Sequence, residues 1–109
     1  MTEEKKEDAT KVPDFVTYPL KTPIMAYGEK IAVIKMRRPL GADLMTVGNP
    51  VIFFPYADPL RIEHDYSRVV AMVARLSDPA IPSSSLAELD PNDLTGIAWA
   101  ISPFFTPAR

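Results

Sequence analysis

The sequence contains no cysteine and a single histidine, His64. The first absence excludes disulfides and thiolate metal sites outright. The two together leave only an oxygen-ligand site for Mg²⁺ or Ca²⁺ open. Glycine occurs four times, with no G-x-G-x-x-G and no Walker lysine motif, so nothing supports a phosphate cradle. No Gly-x-Ser-x-Gly elbow accompanies His64, which leaves a hydrolase triad without its nucleophile. No apolar run approaches the ~20 residues needed to span a bilayer. Positive charge is also in short supply, with 12 Lys and Arg against 14 Asp and Glu. Beyond the N-terminal stretch the only adjacent basic pair is Arg37-Arg38, too little for a phosphate track. These absences point to a chain that is no enzyme, with no cofactor and no metal. They also argue against nucleic acid, membrane or a small-molecule substrate as its partner.

Proline is the residue in excess, 12 among 109, about twice the usual ~5% share. The prolines are scattered and punctuate short elements. An apolar share of 47% suits one modest core and a single domain. Residues 1–12, MTEEKKEDATKV, have almost nothing to bury and are expected to form a disordered charged tail. A single α+β domain is expected over residues 13–109.

Val16, Tyr18, Leu20 and Ile24 share one parity, and Thr17, Pro19, Lys21 and Pro23 the other. That period of two predicts a half-buried strand over Phe15–Ala26. Pro19 and Pro23 remove donors from the same edge, so it is read as an edge strand. Tyr27-Gly28-Glu29-Lys30 reads as a turn. Ile31–Arg37, rich in β-branched residues, closes an antiparallel β-hairpin. Pro39–Met45 looks like a short helix stopped by Gly48-Asn49-Pro50.

Farther on, Ile62, Tyr66, Val69, Val70, Val73 and Leu76 recur at three- and four-residue steps. They predict a helix near Ile62–Ser77 with His64 on its polar face. Pro82-Ser83-Ser84-Ser85 reads as linker. Asp90 as cap, Pro91 at the first position and Asp93 in the first turn open a last helix near Pro91–Ser102. Its stripe is Leu94, Ile97, Ala98 and Ile101, and Pro103 is expected to end or kink it. Asp90-Pro91-Asn92-Asp93 lacks the glycine and distal glutamate of a calcium loop, and helix capping explains it better. The fold class is therefore α+β: an N-terminal antiparallel β-hairpin followed by two or three short α-helices in a small single domain.

Several segments, in this order, resemble the tail assembly chaperone family of contractile-tailed and Mu-like bacteriophages and prophages. They are the hairpin Tyr18–Met36 with Gly28-Glu29 at its turn, and Arg37-Arg38-Pro39-Leu40-Gly41-Ala42-Asp43-Leu44. Val69–Leu76 follows, and then Leu86-Ala87-Glu88-Leu89-Asp90-Pro91-Asn92-Asp93-Leu94 at the opening of the last helix. The resemblance implies a non-catalytic protein that binds the tape-measure protein and assists tail-tube assembly. It implies action in the host bacterial cytoplasm and absence from the mature virion, with tail-tube subunits as further partners. The other reading is a small structural subunit retained in a phage tail or other complex.

Two regions are candidate protein-binding sites. Phe53 and Phe54 lie in Val51–Phe54, four apolar residues between Pro50 and Pro55. They are either a core plug or a client contact. Trp99 projects about 140° from Leu94 on the last helix, away from the buried stripe. It is either covered by the fold or left for a partner. Phe104 and Phe105, beyond Pro103, are expected to join Trp99 in an apolar contact for the client or a second copy. The exposed hairpin edge points to a homo-oligomer.

Overall fold

The computed structural model describes residues 14–59 and 61–106. The expected tail over residues 1–12 lies outside the described residues. Strands β1 (Phe15–Ala26) and β2 (Glu29–Arg37) form an antiparallel hairpin. Leu20, Ile24 and Ala26 are buried, while Thr17, Pro19, Lys21 and Pro23 face solvent, as the alternation requires. The turn is tighter than the four residues expected. Tyr27 and Gly28 alone make it, both at positive φ (54° and 77°), which suits a two-residue hairpin loop to the right-handed twist of the strands.

The pairing Pro19↔Val33 gives way to Ile24↔Ile31, so β1 carries a bulge between them. Inside it, the N–H groups of Lys21 and Thr22 leave the ladder and donate to the two carboxylate oxygens of Asp93, each at 3.0 Å. A short third segment touches the other side of the hairpin. Ser77 bridges Met36, and the Asp78 N–H donates to the Lys35 carbonyl at 2.9 Å. Pro79 follows and has no N–H to extend that ladder.

Helix α1 (Gly41–Val47) leads into a second antiparallel hairpin, β3 (Val51–Phe54) with β4 (Arg61–His64). This corrects two expectations. Val51–Phe54 is a strand of its own hairpin, and the helix expected from Ile62 starts only at Tyr66. Asp65 caps that helix, α2 (Tyr66–Leu76), accepting the Arg68 N–H at 3.3 Å. Ile62 fits the helical stripe by spacing. Pairing with Phe53 claims it for the sheet instead, because a strand needs a partner for its backbone groups.

A one-turn helix α3 (Ser83–Leu86) occupies the expected linker. It brings the number of helices among the described residues to four, above the two or three expected. The last helix, α4 (Pro91–Phe105), starts as predicted, with Asp90 accepting the Asn92 N–H and Pro91 in the first turn. Pro103 does not end it. The helix runs through Pro103 to Phe105. One core gathers Ile34 and Met36 of β2, Val69, Met72 and Leu76 of α2, and Ile97, Ala98 and Ile101 of α4, with Leu86 and Leu89 closing it. The architecture is α+β, as the sequence predicts.

Candidate functional site

Phe53 and Phe54 are neighbours in β3, so they point to opposite faces. Phe53 shares its face with Val51, Ile62 and His64; Phe54 shares the other with Ile52, Arg61 and Glu63. The inward set is buried or half-buried. Phe54 is half-covered by the Arg61 guanidinium, 4.4 Å from its ring centre. The two residues therefore do not form one patch.

Trp99 and the two terminal phenylalanines separate in the same way. Phe104 and Phe105 are half-buried against the core, edge to face with each other at 6.3 Å. Continuation of α4 past Pro103 is what folds them inward. Trp99 stays 53% exposed. Its companions are His64, in edge contact at 4.8 Å, and through His64 the half-exposed Tyr66, 6.1 Å from the imidazole. A strand, the first residue of α2 and the middle of α4 thus place three aromatic rings together. Trp99 and Tyr66 are visible in the sequence, but their meeting is not, because spacing alone puts His64 on the polar face of a helix.

His64 also anchors the second hairpin. Its Nε2 lies 2.7 Å from Ser102 Oγ, and that hydroxyl donates to the Ala98 carbonyl at 2.8 Å. A hydroxyl has one proton, so with that proton on Ala98 the His64 tautomer that fits is the one in which Nε2 donates to Ser102; in the other tautomer Nε2 accepts it. Burial pushes the imidazole below its ordinary value.

A second polar cluster fixes α1. Asp43 is 2% exposed. It accepts from Arg37 through both guanidinium ends (2.8 and 2.9 Å), from Arg75 Nε at 2.5 Å and from the Leu40 N–H at 2.7 Å. The Arg37 hydrogen bonds, then the Leu40 N–H and Arg75, hold its carboxyl well below the usual range against the opposing effect of burial. The same pairing raises Arg37. Sequence reasoning singles out Asp43 only within the family motif. Its position three residues after Leu40, at the first turn of a helix, is the available physical signal. Among the described residues, no three His, Cys, Asp or Glu side chains group as metal ligands. No described helix is long and apolar enough to cross a membrane.

The sequence profile of the family described as "Phage tail assembly chaperone proteins, E, or 41 or 14" matches residues 17–106. The chain belongs to this tail assembly chaperone family. No curated protein and no solved structure matches it. The match takes in the first hairpin from Thr17 on, the Arg37–Asp43–Arg75 cluster, the second hairpin and the whole of α4, so the clusters above lie within the matched stretch. Its role lies in phage tail assembly, where it acts with other tail proteins. For such a role the informative surface is apolar and exposed. Among the described residues such surface includes Trp99 with Tyr66 and the outer side of α1, besides Phe15, Met25, Tyr27 and Val33 on the first hairpin and Ile52 and Tyr56 on or beside the second.

Proposed function

We propose that this chaperone binds the tape-measure protein, keeps it soluble and assists tail-tube assembly without catalysing a reaction. The family match over residues 17–106 carries this reading. Trp99 at 53% exposure, beside the half-exposed Tyr66, supplies an aromatic grip of the kind enriched at interfaces. Of the residues expected to bind protein, Trp99 is the one we retain as a client contact. Phe53, Phe104 and Phe105 are turned inward, and Phe54 is half-covered by Arg61. We place the action in the host cytoplasm, before the virion is complete.

The test is co-expression with the tape-measure protein encoded by the same phage or prophage. The client stays in the soluble fraction with the full chain and sediments without it. Trp99 emission shifts to the blue on adding client. A client that aggregates equally with and without the chain overturns the proposal. Finding the chain in purified virions would favour a retained structural subunit.

A further inference from the structure

Helix α1 reverses the ordinary amphipathic arrangement. Its one fully buried residue is the carboxylate Asp43. Its large apolar residues face out: Leu40, which caps it, is 67% exposed, Leu44 40% and Met45 88%. Soluble helices put the apolar stripe inward, and an exposed apolar patch next to a buried charge is the informative exception. Leu40 and Leu44 stand one turn apart, with Met45 beside them, and flexible methionine adapts to varied partners. Gly41 and Ala42 add two small exposed residues, and, its chain neighbours and the backbone of its own helix aside, no atom lies within 4 Å of where a Gly41 side chain would start. A partner backbone can therefore come close.

We infer that the outer side of α1 docks an amphipathic helix that carries acidic residues beside its apolar stripe. This rests on, and deepens, the client-binding reading above. Three observations choose the occupant. First, α1 offers side chains and no strand edge, so whatever lies on it must satisfy its own backbone hydrogen bonds, as a helix does. Second, Arg37 and Arg75, each about 40% exposed at the side chain, both meet α1 at Asp43, the residue before Leu44, and Arg38 is exposed two residues before Leu40. The carboxylate that Arg37 and Arg75 share is buried beneath them, so their outer sides are free to meet acidic groups. Third, a second copy would bring one arginine rim against another, a like-charge clash that disfavours pairing. The chain's own N-terminal stretch is a poor fit as well, since residues 1–12 contain no leucine, isoleucine or phenylalanine.

The test uses the full chain and two synthetic helical peptides. Both carry leucines at i, i+4 and i+7; one places glutamates beside them and the other lysines. Fluorescence anisotropy should show the glutamate peptide binding about tenfold or more tighter than its lysine twin. Leu44→Ser with Met45→Ser should weaken it by about tenfold with circular dichroism unchanged. Arg38→Glu should erase the preference between the peptides. If the double variant unfolds, Met45→Ser alone decides, because that side chain is almost fully exposed. Equal affinity for the twins, no binding of either, or unchanged binding by the α1 variants overturns the inference. So does a sedimenting dimer lost in the α1 variant, which would make a second copy the occupant. Several-fold tighter peptide binding after deletion of residues 1–12 overturns it too, by making that stretch the occupant. The client assay separates this inference from the broader reading. A tape-measure protein kept soluble by the α1 variant as well as by the wild type refutes docking at α1 alone. One that the wild type also fails to keep soluble refutes the proposed function, and the peptides still decide the inference.

Discussion

The hairpin β1–β2 sends Leu20, Ile24, Ala26, Ile34 and Met36 into the core, whereas β3–β4 buries only Val51 completely. A two-stranded ribbon is at best marginal in water, so each depends on what covers or ties it. The first is covered by α2 and α4 and tied, besides the Ser77-Asp78 contact with β2, at two carboxylates. Asp93 of α4 holds its bulge, and Arg37 at its end is paired to Asp43. The second packs largely on itself and is held by the His64–Ser102 hydrogen bond and the Trp99 edge. The difference separates a permanent wall of the core from an attachment beside the exposed aromatic site.

The sharpest way to break this contrast is Asp93→Ala. Asp93 has no exposed surface and accepts two backbone N–H groups. Hydrogen bonds to a charged acceptor contribute about 1.5–3 kcal/mol each. Lys21 and Thr22 are exposed, so water recovers part of that, and a loss of roughly 3 kcal/mol is expected by urea denaturation. An unchanged midpoint would mean that the bulge holds without its carboxylate.

Gly96→Ala comes next. A β-carbon there would run into the Tyr18 hydroxyl and lie 2.7 Å from the ring carbon that bears it, so either the half-buried Tyr18 ring must move or β1 and α4 must part. Overpacking of this kind costs about 1–3 kcal/mol. Tyr18→Phe in the same chain removes the nearest atom and should recover part of the loss. A Gly96→Ala protein as stable as wild type would show that Tyr18 swings aside freely.

Asp43→Asn tests the other tie. The carboxylate is buried, but both arginines reach solvent. We therefore expect about 1.5 kcal/mol, below the 3–5 typical of a fully buried broken pair. The native carboxyl is depressed below its unfolded value, so this stability is present above about pH 4. It is lost as pH falls further, toward the depressed native value. Wild type and the Asp43→Asn variant should differ at neutral pH and converge in acid; a constant gap would refute the pairing.

The smallest global effect belongs to the second hairpin. Ser102→Ala deprives His64 Nε2 of its hydrogen-bond partner and should cost about 1 kcal/mol, felt locally. Amide exchange in Val51–Phe54 and Arg61–His64 should quicken while that of β1 and β2 stays unchanged. Burial keeps His64 neutral, which costs nothing above its ordinary value of about 6.5 and increasingly disfavours the closed hairpin as pH falls through it. Exchange in β3–β4 that is insensitive to pH, beyond the chemical exchange rate, would remove His64 as its anchor.

Hairpin-mediated self-association remains a proposal with a narrower basis. One edge of β1 carries Pro19, Pro23 and the Asp93 contacts, and the outer edge of β2 is met by Ser77-Asp78 at Lys35–Met36. What is left for a second copy is the stretch of β2 nearer the turn. Substituting Val33, half-exposed there, with lysine should abolish any dimer seen by sedimentation.

The sequence by itself determined the β1–β2 hairpin, most of α2 and the start of α4. In each, a local signal and a burial pattern agree: alternation from Val16 to Ile24, the stripe Val69–Leu76, and the Asp90-Pro91 cap. It also determined the family, whose motifs are local in the chain. Only the tertiary structure decided that Arg61–His64 is a strand, since Ile62 fits both periods and its partner lies nine residues back at Phe53. Only it turned Phe104 and Phe105 inward and Leu44 and Met45 outward, and gave Asp93 and Asp43 their partners. Lys21 and Arg75 are 72 and 32 residues away from those carboxylates. Contacts across such separations are set by how elements stack, and an aspartate that caps a helix and one that clamps a distant strand read alike until the chain has folded.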